Sequence, residues 1–126
     1  MTIGQDFDLT ALVPLRHRVE GWARGNGLAG LPLYRFVVAV NEITTNAVRH
    51  GGGSGHLTLT RTGDRLHCTV TDHGDGLPAG HRPRLPGPAD PGGRGLLLAR
   101  HGTDSMTLTS TPEGTTVTLA VSTPSA

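Results

Sequence analysis

Residues 56 to 72, "HLTLTRTGDRLHCTVTD", alternate apolar and polar side chains in two runs, interrupted only at Gly63-Asp64. A period of two is the signature of a half-buried β-strand, and an Asp/Gly pair between two such runs marks a hairpin. Leu57 and Leu59 on the first strand, then Leu66, Cys68 and Val70 on the second, fall on one face and are predicted to meet the core. The pattern returns in "SMTLTS" (105 to 110) and "TTVTLAV" (115 to 121), a second strand pair around Pro112 to Gly114. A short strand near Thr2 to Phe7 is also expected. A sheet with one apolar face needs another layer to cover it.

Two segments of helical period supply that layer. Leu12, Leu15, Val19 and Trp22 recur at helical spacing, Pro14 is acceptable only in a first turn, and Gly25 and Gly27 follow. The first helix is therefore predicted to start near Leu12 and to end at those glycines. A second begins around Leu31 or Pro32, with Leu33, Phe36, Val37, Val40, Ile43, Thr44 and Ala47 along one stripe. The glycines from Gly51 to Gly55 should stop it. Leu96 to His101 reads as a short third helix. The order predicts an α+β two-layer sandwich, with a mixed, mostly antiparallel sheet covered on one face by helices. At 126 residues the chain is read as a single domain, 1–126. No internal repeat is visible, and "STPSA" reads as a frayed tail.

Eleven basic residues, all arginine, against ten acidic ones give a net charge of +1. Nothing in that balance calls for a nucleic-acid or membrane-surface partner. No run approaches the roughly twenty apolar residues of a membrane helix. A lone cysteine, Cys68, and a first segment without a secretory pattern point to a cytoplasmic setting. The seven histidines form no compact ligand motif, so structural zinc is not expected.

Chemistry must then come from a site. Glu42 and Asn46 in "NEITTNAVRHG" lie four residues apart, share a helix face, and sit roughly opposite the apolar stripe. By themselves they read first as a solvated helix face. "DHGDG", Asp72 to Gly76, ends a predicted strand: its carboxylate can accept a hydrogen bond, and its glycines allow a flat ligand to approach the backbone. A tight turn is the plainer alternative. In "GGRGLLLAR", Gly93 and Gly95 precede a helix whose free N–H groups suit an anion. Residues 73 to 95 between these motifs lack periodicity, and a stretch of that length in so small a domain is commonly a lid, a binding loop or disorder. "GTT", Gly114 to Thr116, opens the last strand as an ordinary hairpin turn would.

Taken together, E-x-x-x-N on a helix, D-x-G-x-G after a strand, a long loop, G-x-G-L before a helix and G-T on the final strand resemble the Bergerat-fold ATP-binding family of gyrases, histidine kinases and certain chaperones. The short form is most similar to the bacterial anti-sigma-factor serine kinases, and "NEITTNAVRHGG" is close to their wording. The resemblance spans nearly the whole chain. It implies ATP and Mg²⁺ as cofactors, with Asn46 ligating the metal and Glu42 orienting and activating the nucleophile. It implies Asp72 as the adenine-reading carboxylate, Gly74 and Gly76 against the purine, and Thr115 assisting at the same edge. Gly93, Gly95 and Leu96 match the hinge of a lid over residues 77 to 92, and Arg94 is either a phosphate ligand or a solvent-facing arginine.

Two activities follow from the resemblance. One is an ATP-dependent protein serine/threonine kinase that sequesters a sigma factor and phosphorylates a small antagonist protein. The other is a nucleotide-gated binding module with little or no turnover. A homodimer is implied by analogy only.

Overall fold

The computed structural model describes residues 2–50, 52–72, 103–111 and 114–123. Strand β1 (Thr2–Asp8) leads through a 3₁₀ turn (Leu9–Ala11) into helix α1 (Leu12–Gly25) and helix α2 (Gly30–His50). Strands β2 (Ser54–Thr62), β3 (Arg65–Asp72), β4 (Ser105–Thr111) and β5 (Gly114–Ser122) follow. The five strands form one sheet in the order β1-β2-β3-β5-β4, and every described pairing is antiparallel. The expected sandwich is therefore present, without a parallel pair among the described strands.

Local chemistry accounts for the helix boundaries. Asp8 Oδ1 accepts from the Thr10 and Ala11 amides at 3.0 and 3.2 Å and from the Thr10 hydroxyl at 2.7 Å, which caps the 3₁₀ turn that feeds α1. Pro14 is the third residue of α1, where its missing N–H costs nothing. At the other end Gly27 takes φ 104°, its amide donates to Arg24 O, and the Leu28 amide donates to Ala23 O. This is a Schellman stop, with Leu28 buried as its hydrophobic partner.

The Thr10 hydroxyl bond, reinforced by the two amides, holds the Asp8 carboxyl below its ordinary value of 3.8. A depressed folded-state pKa stabilises the cap above pH 3.8 and loses that contribution as pH falls through the folded value. The Thr10 and Ala11 amide shifts are accordingly expected to titrate with a midpoint below 3.8. A midpoint at or above 3.8 would remove the cap from this account.

The core lies between helices and sheet. α2 packs on β2, β3 and β5, while α1 packs on α2 and against β1. Across the helix-facing side the register sets out rows: Ile3, Leu59, Cys68, Leu119 and Met106, then Gln5, Leu57, Val70, Val117 and Leu108. Phe36, Val40, Ile43 and Ala47 of α2 are buried in the same cluster. Thr44, the one polar member of that stripe, is 3% exposed and donates its hydroxyl to Val40 O at 2.9 Å, which offsets the cost of burying it. Burial also pushes the Cys68 thiol up, away from the reactive thiolate form.

The glycine run ends α2 as expected, with one difference. β2 begins at Ser54, so Gly55 belongs to the strand rather than to the stop signal. The opposite side of the sheet carries a row of threonines, Thr58, Thr69, Thr118 and Thr107, with Thr69 and Thr118 hydroxyls 3.2 Å apart. None of the described helices is long and apolar enough to cross a membrane.

Candidate functional site

Asp72 is the last residue of β3, and the strand's alternation turns it to the helix-facing side in line with Leu66, Cys68 and Val70. A carboxylate thus occupies a position where the pattern calls for an apolar side chain, and it is only 7% exposed. Burying a charge is costly unless it is hydrogen-bonded. Here the Thr115 amide, at the start of β5, donates to Asp72 Oδ1 at 3.1 Å. Thr115 is half-buried and follows the buried Gly114, whose φ of 147° favours glycine at the strand entrance.

Glu42 and Asn46 lie one turn apart on α2, and both are half-buried. The helical wheel sets them away from the apolar stripe, but the face they occupy is not fully solvated. Leu31, Pro32, Tyr34 and Arg35 on the first turns of α2 are exposed, whereas every residue from Asn41 to Val48 is buried or half-buried. The polar face of the helix is thus partly covered between Asn41 and Val48, and Arg49 beyond it is exposed.

Chain connectivity brings this face toward Asp72. α2 ends at His50, β2 starts at Ser54, and Gly55 is the register partner of Asp72. Four residues span at most about 14 Å, so the final turns of α2 and the end of β3 occupy the same end of the sandwich. Asp72 and Thr115 are in direct contact there, and Glu42 and Asn46 belong to α2, which packs on β3 and β5. Gly74, Gly76, Gly93, Arg94, Gly95 and Leu96, with the lid at 77 to 92 and the short helix at 96 to 101, lie outside the described residues.

The donor set can be tested against Mg²⁺. Among the described residues there is no group of three or more His, Cys, Asp or Glu side chains that could hold a metal by themselves. Asn46 offers one amide oxygen and Glu42 a carboxylate a turn away. Mg²⁺ prefers oxygen ligands and keeps waters and phosphate oxygens around it, so these residues fit a metal carried in with a nucleotide.

Sequence reading missed one feature of this corner. Phe7, Gly55 and Asp72 are consecutive register partners across β1, β2 and β3, on the helix-facing side. The available signal was a glycine at an inward position of an otherwise alternating strand, which marks a close approach.

The comparisons agree with this architecture. The chain resembles the structure of the RsbU and RsbW domains of Rv1364c from Mycobacterium tuberculosis, with TM-score 0.74, 20% identity and 97% of this chain covered. It spans about a third of that longer chain, 32%. It also resembles the catalytic domain of the histidine kinase ThkA (TM-score 0.62, 15% identity, 95% of each chain covered). A histidine kinase domain from the Erythrobacter litoralis EL346 blue-light activated histidine kinase is similar too (TM-score 0.58, 21% identity, 89% of this chain and 63% of that one). At these identities the likeness is one of fold. No curated protein sequence matches. The model of the histidine kinase-like ATPase domain matches residues 6–121, nearly the whole chain, and the protein belongs to that family.

Proposed function

We propose that this protein binds Mg-ATP at the corner formed by Asp72, Thr115 and the last turns of α2, and that it is a protein serine/threonine kinase of the anti-sigma-factor type. The observation that carries the reading is the buried strand-end carboxylate of Asp72, held by the Thr115 amide at the end of the sandwich that the last turn of α2 also reaches. Asp72 accepts from the exocyclic amine of adenine, a donor that a carboxylate oxygen suits. Gly74 and Gly76 would lie against the purine; Gly93, Arg94, Gly95 and Leu96 would close on the phosphates.

Asn46 contributes an amide oxygen to Mg²⁺, which, when bound with the nucleotide, neutralises charge on the phosphates. Glu42 takes the proton of the attacking serine hydroxyl of a small antagonist protein, and its half-buried position near Asn46 suits that role. The RsbW domain among the structural relatives supports looking for a sigma factor as the sequestered partner. The intact Glu42 favours turnover over a purely nucleotide-gated binding module.

Calorimetry of ATP binding with and without Mg²⁺ tests the pocket. Asp72→Asn is expected to weaken ATP by about 10- to 150-fold, the range for a lost hydrogen bond to a charged group. Asn46→Ala is expected to erase the Mg²⁺ dependence. A wild type that binds no ATP would overturn the proposal, and ATP bound without any phosphoserine appearing on the cognate antagonist would leave the gated module in its place.

A further inference from the structure

Gly55 has an ordinary strand backbone and is absent from the positive-φ glycines, so its conformation alone does not require glycine. Space does. A Cβ built there would stand 2.8 Å from Phe7 Cζ, 3.2 Å from Phe7 Cε1 and 3.0 Å from the Thr71 carbonyl oxygen. The first and last of these are at or below the closest approach that real Cβ atoms show, and the last involves backbone, which yields poorly.

The ring of Phe7, 4% exposed, therefore reaches from β1 across β2 and occupies the volume where a side chain of residue 55 would stand. On the helix-facing side the residue paired with Gly55 across the next strand boundary is Asp72. Cross-strand neighbours on one face are the units that fix side-chain positions in an antiparallel sheet. Asp72 has the Thr115 amide on its β5 side. On its β2 side it has a glycine roofed by an aromatic ring.

We infer that Phe7 and Gly55 are positioning residues for Asp72, and that through it they set the discrimination between adenine and purines lacking the 6-amine. This deepens the proposed function and rests on the adenine-reading role of Asp72. The Thr71 peptide leads directly into Asp72, so pressure on its carbonyl is transmitted to the carboxylate. A carboxylate held in place accepts from the amine of ATP and repels the 6-oxo group of GTP; a carboxylate that shifts loses both effects. The pair thus acts on base selectivity and leaves the phosphate contacts alone.

The test compares ATP and GTP affinities of the wild type, Gly55→Ala, Phe7→Leu and the double variant, together with the Thr115 amide resonance. Gly55→Ala is expected to lower the ATP:GTP preference by about tenfold, the scale of coupling between contacting residues, and to shift the Thr115 amide. Phe7→Leu removes the ring atoms that the new Cβ would strike but not the Thr71 carbonyl, so the double variant is expected to recover only the part of the preference lost through the ring. A merely structural role would weaken both nucleotides equally and leave the ratio unchanged, which overturns the inference. Should Gly55→Ala fail to fold, Phe7→Leu alone serves, since shortening the ring loosens the same wall: an unchanged ratio and Thr115 resonance in that variant also overturn it. A wild type that binds ATP but prefers it no more than Asp72→Asn does removes the adenine-reading role of Asp72 itself, a result distinct from unchanged selectivity in the Phe7 and Gly55 variants.

Discussion

Glu42→Gln is expected to bind Mg-ATP much as the wild type does and to transfer phosphate to the antagonist serine about 10²- to 10⁴-fold more slowly. The substitution keeps the volume and hydrogen-bonding length of the half-buried side chain, so the neighbouring Asn46 is left intact. What disappears is the carboxylate to which the proposed function gives the proton. In phosphoryl transfer the protein works mainly by positioning and charge neutralisation, and a carboxylate near the incoming hydroxyl is the one group that also handles a proton. Single-turnover transfer from radiolabelled ATP, run beside calorimetry, separates the two quantities. A transfer rate equal to wild type with normal ATP binding would show that Glu42 is not the proton acceptor.

The second large effect concerns stability. Phe36→Ala is expected to cost about 3–5 kcal/mol, the range for deleting a fully buried aromatic ring. Phe36 is the largest of the side chains with essentially no exposure, and it lies on the helix that covers β2, β3 and β5. Small domains have only about 5–15 kcal/mol in hand, so the variant should be near the limit of folding. Urea denaturation should show the midpoint falling sharply with the slope nearly unchanged. A loss under about 1 kcal/mol would mean that the helix layer closes over the gap, and that Phe36 is not a keystone of the interface between layers.

Most of the fold was legible because its signals are local. The Gly63-Asp64 turn and the alternation on either side specify β2 and β3 without help from the rest of the chain, and the period of α2 is carried by its buried stripe. Pro14 and the glycines around residue 26 located α1 for similar reasons. The 3₁₀ turn was not legible: Leu9 and Thr10 carry no periodicity, and the turn exists because Asp8 caps it. Nor does the sequence alone say that β5 enters the sheet between β3 and β4. That order depends on which apolar edge best completes the core, a competition among distant segments.

The site was legible in part. Asp72 and Thr115 were singled out from motifs 43 residues apart, and a hydrogen bond joins them. Glu42 and Asn46 were identified by spacing, but their half-buried state depends on packing that a helical wheel does not include. Gly55 was misread as part of the helix stop because a glycine inside a glycine run looks like a breaker. Its actual role follows from Phe7, a residue whose partner could be recognised only once the strands were in register.

The bond between Asp72 and Thr115 also says when the site comes into being. The β2-β3 hairpin closes across a two-residue turn, whereas Thr71 and Thr116, paired where β3 ends and β5 begins, are 45 positions apart. Pairings of such long separation carry the larger chain-closure entropy and are characteristically late in folding. The carboxylate at the end of β3 therefore acquires its amide donor only as the distant strand zips into the sheet. Until that strand joins the sheet the corner of Asp72 and Thr115 is unformed, so a nucleotide bound there as proposed would recognise only the completed fold and draw the equilibrium toward it by mass action.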